Sequence, residues 1–310
     1  MHNIYNLINE AISAKQQKVA LPYTDGDAVL AIYNKVLSEN PDGIFYNVGS
    51  IKIVSSLFGS SSIILSKNNM AGQIDRLIAE RNKIVSIAQS ERNNYEAILA
   101  VYRYFVQFYQ YSDCDDALFH QIASPLQHHK SVCEGFSLLF SEILNMAHIP
   151  CGVVNGLSNR DGKQEPHSWN IVKYKNYYYH LDVTWDICSK SKQEEGLDYF
   201  MLDDNSIQKD HFWRDSFIPK CLDPNEEYYV KHDMLLRSKD EIERFLIKRI
   251  KMGNNTICFR CIDSQKSVLI SDNSLSEIVC RAFKNCDKSS CDIEYRTNYP
   301  MGIVVINILG

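Results

Sequence analysis

In the middle of the chain a helical period of apolar residues gives way, within a few positions, to strand-like alternation. The segment VCEGFSLLFSEILNMAHIPC (132–151) carries apolar side chains at three-to-four spacing, the signature of a helix that buries one face. CGVVNGL (151–157), SWNIVKY (168–174) and YYYHLDVTWD (177–186) then alternate with period two, as half-buried antiparallel strands do. Lys175–Asn176 is the expected turn between the last two. A helix followed directly by several strands predicts an α+β domain with the helix packed on an antiparallel sheet.

Three zones follow, with boundaries at 1–89, 90–205 and 206–310. The first is an α+β extension. It has helices in MHNIYNLINEAISAK and DAVLAIYNKVLSENPDG, the latter stopped by Pro41 and Gly43, and strands in IFYNVGSIKIVSS and SSSIILS. A long surface helix is expected in AGQIDRLIAERNKIVSIAQ. The second zone opens with the aromatic helix YEAILAVYRYFVQFYQY and a polar loop, SDCDDALFHQIASPLQHHKS. The aromatic stripe reads as core packing. Its wide apolar arc calls for cover on two sides, with the N-terminal zone as the second partner. The third zone, with helices in SKDEIERFLIKRIKMG and SLSEIVCRAFKNC around the strand TICFRCI, is a small α+β appendage.

Acidic residues outnumber basic ones, 38 to 33, and the basic ones form no dense block, which argues against a nucleic-acid partner. The N-terminus lacks the basic start and continuous apolar stretch of a signal peptide. Apolar runs such as GIVVINIL (302–309) fall far below the roughly 20 residues that span a bilayer. The chain as written is therefore expected to be soluble and cytoplasmic, with export by another route as the alternative. Its 10 cysteines are spread too widely for a small disulfide framework.

One cysteine stands apart. Cys133 sits where the loop turns into the helix, and a helix N-terminus offers unpaired N–H groups and positive potential to a thiolate. His167 in PHSWNIV starts a candidate strand and Asp182 in HLDVTWD lies on the next. If those strands pair across Lys175–Asn176, base and orienting carboxylate come together, in the order Cys, His, Asp. Asp186 is a fallback orienter, and Asn170 a further one, although a structural hydrogen bond suits Asn170 better.

VCEGFSLLF, HSWNIV and YYYHLDVTWD resemble the three motifs of the transglutaminase-like superfamily: a Cys-x-Gly helix start, His-x-Trp-Asn and Asp-x-Thr-Trp. The flanking segments NPDGIFY, YEAILAVYRYFVQFYQY and YFMLDDNSIQKDHFWRD resemble those of bacterial members. The resemblance implies a papain-like fold with Cys133 as nucleophile, His167 as base then acid, and Asp182 as orienter. It implies attack on a protein or peptide amide, a thioester acyl-enzyme, and hydrolysis, deamidation or transamidation as its fate, with no cofactor. Gln127, six residues before Cys133, has the spacing of the oxyanion-binding Gln of papain proteases. An aromatic side chain does that work in other relatives. Trp169 and Trp185 are expected to cover the triad or to pack in the core. The competing reading is an inactive papain-fold scaffold that binds a partner.

Other clusters are weaker. Cys258-Phe-Arg-Cys261 with Cys286 and Cys291 has zinc-like spacing, but a strand sends residues three apart to opposite faces. His128–His129 with Asp113, Asp115 and Asp116 reads as a solvated loop. His180 is expected to face away from Asp182, and His211 to be structural. No metal ligand set is assigned.

Overall fold

The computed structural model describes residues 2–22, 25–40, 42–43, 46–55, 61–67, 71–114, 116–160, 162–189, 197–286 and 292–309. Pro41, Asp115 and Cys291 lie outside them. The architecture is α+β, and two compact units are distinguished, residues 1–155 with 167–174 and residues 156–166 with 175–310.

In the first unit, helices His2–Ser13 and Gly26–Glu39 pack on a three-stranded sheet. Its strands are ordered Lys18–Leu21, Ser61–Lys67, Tyr46–Ser55 and pair antiparallel. Ile8, Ile12, Tyr33, Val36, Ile63 and Leu65 form the local core. Asp25 caps the second helix by accepting from the Asp27 N–H, and the short strand Lys18–Leu21 had no clear period of its own in the sequence. The long helix Ala71–Gln89 and the aromatic helix Asn94–Phe108 follow. Tyr102 and Phe105 of the aromatic helix meet Phe140 edge-on, with ring centroids 6.0 and 5.3 Å apart. Its Tyr104 meets Glu80 and Lys83 of the long helix instead. The wide apolar arc is thus covered on two sides, with Phe108 left half exposed. The polar loop is not structureless: it contains a 3-10 turn at Ala117–His120, capped by Asp116, and a short helix at Ser124–His128 with Pro125 in its first turn.

A four-stranded sheet orders Tyr177–Leu181, Lys163–Tyr174, Cys151–Arg160 and His211–Phe212. Lys175–Asn176 forms the predicted turn, with Lys175 in the left-handed region at φ 54°. In the second unit, helices Lys239–Lys251 and Asp272–Lys284 pack on a sheet ordered Leu235–Leu236, Thr256–Cys261, Ile303–Leu309, Asp292–Asn298. The helix at 239 starts on Ser238, which accepts from the Glu241 N–H, while the Glu241 carboxylate reaches back to the Arg237 N–H. The Ser-x-x-Glu sequence thus supplies both ends of the cap, with the carboxylate bonding one residue before the N-cap rather than the N-cap N–H of a regular capping box. Among the described residues no helix is long and apolar enough to cross a membrane.

Candidate active site

Cys133 is the first residue of helix Cys133–Met146 and is half-buried. The N-cap is Val132, which makes no side-chain cap. Helix geometry therefore leaves the N–H groups of Cys133, Glu134 and Gly135 without carbonyl partners inside the helix, next to the thiol. The approach to the helix is fixed by Phe119, whose carbonyl accepts from the Val132 N–H at 3.2 Å and from Ser131 Oγ at 2.6 Å. Gly135 sits against this turn. A Cβ there would stand 2.2 Å from Ser131 Oγ and 2.8 Å from the carbonyl oxygens of Gln121 and Phe119. The Cys-x-Gly pattern is thus a packing requirement: only a residue without a side chain lets the helix start where the thiol needs it. The intervening Glu134 turns outward to His120 Nδ1, 2.9 Å away.

One turn beyond Cys133, Ser137 fastens this helix to the strand that carries His167. Ser137 Oγ donates to the Ser168 carbonyl at 3.0 Å. Asn170 Nδ2 donates to the Ser137 carbonyl at 2.8 Å and to that of Gly152 at 3.2 Å. Asn170 is therefore structural, holding helix and sheet in register. His167 is buried, and its ring lies nearly parallel to Trp169, centroids 6.1 Å apart at 18°. Trp169 is wholly enclosed, so it packs rather than opens onto solvent. Gln127 lies in the short helix before Cys133 and is exposed.

Asp182 departs from the strand expected over 177–186. The strand ends at Leu181, and Val183–Ser189 is a helix. The reason is Asp182 itself: its Oδ1 accepts from the N–H groups of Thr184 (2.9 Å) and Trp185 (3.1 Å), the capping role for which Asp is favoured. Asp-x-Thr-Trp is thus a strand end and helix cap in one. The second oxygen, Oδ2, meets His211 Nε2 at 2.9 Å, and His211 Nδ1 meets Asp210 Oδ1 at 2.6 Å. All three side chains are buried. Burial by itself would depress the His211 pKa, but hydrogen bonds to Asp182 and Asp210 outweigh it and hold the imidazole above its ordinary value. Tyr199 completes the chain by donating to Asp210 Oδ2 at 2.7 Å. Trp185 packs on both, 4.6 Å from the His211 ring and 5.0 Å from that of Tyr199.

His211, expected from the sequence to be structural only, is a member of this network. Its only signal was the Asp210-His211 pair beside the aromatics of KDHFWRD. Asp186, the fallback orienter, has its oxygens on the N–H groups of Asp198 and Tyr199, each at 3.1 Å, and so anchors the chain after 197. Cys133, His167, Gln127 and Trp169 belong to the first unit and Asp182 and Trp185 to the second.

The remaining candidates have other surroundings. His128 and His129 are exposed. His180 faces Asp204 Oδ1 at 3.0 Å and packs on Trp213. Cys258 and Cys261 stand three apart on one strand, and burial pushes the Cys261 thiol up to about 12. Cys286 Sγ lies 3.8 Å from the Ile247 carbonyl.

Residues 81–183 match the family described as the Transglutaminase-like superfamily. No curated protein matches the chain. Among solved structures, a TGase matches at 17% identity over 56% of this chain and 53% of its own, with a TM-score of 0.32. A candidate cysteine protease from Cytophaga hutchinsonii matches at 12% identity over 44% of this chain and 61% of its own, with a TM-score of 0.31. The periplasmic domain of TgpA from Pseudomonas aeruginosa matches at 13% over 40% and 54%, with a TM-score of 0.28. The chain thus spans between half and two thirds of the length of these structures. The family match contains Cys133, His167 and Asp182 and supports a transglutaminase-like, papain-like fold for residues 81–183.

Proposed function

We propose that the protein is a cysteine-dependent acyl-transfer enzyme acting on protein or peptide amides, with Cys133, His167 and Asp182 as its triad. The observation that carries this reading is the placement of Cys133 at the start of a 14-residue helix whose N-cap is a valine without a side-chain cap. A thiol at such an uncapped start has backbone N–H groups and a helix dipole available to stabilise a thiolate and then an oxyanion.

In this mechanism His167 takes the Cys133 proton, and the sulfur attacks the amide carbonyl to give a tetrahedral oxyanion. The Cys133 N–H stabilises that oxyanion, helped by the Gln127 amide. Collapse expels the nitrogen, which takes the proton back from imidazolium, and leaves a thioester. Water or an amine then attacks, with His167 again the base. Asp182 orients the imidazole, and His211 positions Asp182. Both ring nitrogens of His211 face carboxylates, so it is unsuited to accept the thiol proton itself. Trp169 and Trp185 limit water near the rings they pack on. Hydrolysis is the default fate of the thioester, with transamidation where an amine competes.

The test is intact-mass analysis of a glutamine-containing protein after incubation with the enzyme, with and without a primary amine. Chain cleavage marks a protease, a gain of about one mass unit per site a deamidase, and amine incorporation a transglutaminase. An unchanged substrate, together with no selective alkylation of Cys133 by iodoacetamide at mildly acidic pH, would favour the scaffold reading.

A further inference from the structure

A second group of side chains, none of them in the proposed triad, has the composition of a metal site. His180, Asp204 and Cys221 each bring one nitrogen, oxygen or sulfur atom to within 4.8 Å of the other two. His180 and Cys221 are buried, and Asp204 is partly so. The three come from well-separated stretches: a strand of the four-stranded sheet, the start of a short helix, and the loop that follows His211. Asp204 Oδ1 is the hub, 3.0 Å from His180 Nε2 and accepting the Cys221 N–H at 3.1 Å. Cys221 Sγ lies 3.9 Å from the Pro219 carbonyl oxygen.

Two of the three border open space, while His180 is enclosed behind them. A cavity of about 520 Å³ is lined by Asp204 and Cys221, with Asn205, Gln208 and Trp213 among its other walls. Its size admits water and small ligands, so a metal here would have room for a non-protein ligand. Imidazole, carboxylate and thiolate in one place match a borderline-soft divalent ion, whereas an oxygen-only set would suit magnesium or calcium. Bonds of roughly 2.0–2.3 Å to zinc put tetrahedral ligands roughly 3–4 Å apart. The present spacing therefore closes with side-chain adjustments of about an ångström.

We propose that His180, Asp204 and Cys221 hold a divalent cation, zinc by its donor set, with a fourth position facing the cavity. On binding, the Cys221 S–H bond breaks, its proton leaves to solvent and a metal–sulfur bond forms, with no electron transferred. The ion would tie the strand ending at Leu181 to the loop after His211, the two stretches that bracket Asp182 and its partner. The proposal stands apart from the Cys133 chemistry and survives its failure.

The experiment is a titration of the chelator-treated full-length protein with Co²⁺, followed by zinc displacement. One equivalent should bind with a near-ultraviolet thiolate-to-cobalt charge-transfer band, which zinc abolishes. The band should persist in Cys133→Ala and disappear in Cys221→Ser. Asp204→Asn, which keeps the side-chain shape, should weaken binding by more than the roughly 10-fold lost with an outer-shell partner. This second variant decides the matter if circular dichroism shows Cys221→Ser to be misfolded. The proposal is overturned if the wild-type protein shows no saturable binding, if the band survives in a folded Cys221→Ser, or if Asp204→Asn binds as tightly as the wild type.

Discussion

Around Cys133 the backbone leaves little freedom, and Gly135 is where this is sharpest. An added methyl group there meets two carbonyl oxygens, which belong to the backbone and cannot swing aside. Gly135→Ala should therefore destabilise the protein by about 1–3 kcal/mol, the usual cost of overpacking, read as a lower urea midpoint. It should also reduce turnover, since relief of the clash displaces the helix start. Cys133→Ala is the contrasting case. A half-buried thiol contributes little packing, so its stability change should stay within about 1 kcal/mol, while amide-directed activity disappears. Full turnover in that variant would remove Cys133 from the mechanism. Cys261 and Cys221 give the internal comparison for alkylation. Burial raises both thiols, with the Asp204 charge adding to the effect at Cys221, so both should react far more slowly than Cys133.

At the scale of elements, the helix Val183–Ser189 depends on Asp182 twice over, for its cap and for the pairing with His211. Asp182→Ala removes both roles. Loss of the cap costs about 1 kcal/mol, and leaving His211 without one of its buried carboxylates costs a further 3–5 kcal/mol or so. Asp182→Ser keeps a capping oxygen and should recover only the smaller part; chemical denaturation of the two variants separates the contributions. The same network has a pH signature. The His211 pKa is raised in the folded protein above its ordinary value of 6.5. Its stabilising contribution is therefore complete below that value and is lost as pH rises through the folded pKa. The stability difference between wild type and His211→Gln should accordingly shrink as pH is raised above neutrality. His180, whose pKa burial depresses despite Asp204, runs in the opposite sense and cancels in the difference. An increment that grows with pH would show that His211 is neutral between its two carboxylates.

At the scale of the whole molecule, residues 90–205 should not fold alone, because buried charges within that range have their partners outside it. Glu142 on the Cys133 helix pairs with Arg81 of the long helix at 2.6 Å. Burial raises the Glu142 pKa, and Arg81 offsets only part of that. Asp198 is held from the strand Asp292–Asn298 by Arg296 at 2.8 Å and Asn298 at 2.9 Å. Each severed pair leaves a buried carboxylate worth about 3–5 kcal/mol of destabilisation, comparable with the total stability of an ordinary domain. Expressed alone, 90–205 should aggregate, while 71–310, which restores both partners, should unfold cooperatively. A monomeric, active 90–205 fragment would refute this.

What could be read from the chain alone was whatever depends on near neighbours. The three-to-four spacing around Phe136, Leu139, Phe140 and Ile143 announced a helix, the alternation around Trp169 a strand, and Lys175–Asn176 a turn, since each is set by contacts a few residues apart. Cys133 beside Gly135 was legible for the same reason, although the crowding by Phe119 and Gln121 that demands the glycine was not. The boundary at Asp182 was misread because one residue can continue a strand or cap a helix with equal local logic. That choice was made by where its carboxylate found partners: Thr184 and Trp185 nearby, and His211, 29 positions on. Arg296 reaches Asp198 across 98 positions. Such pairs leave no period in a sequence, because burial rather than spacing selects them: a charge removed from water must find its counterpart wherever the fold has brought one, and only the tertiary structure decides where that is.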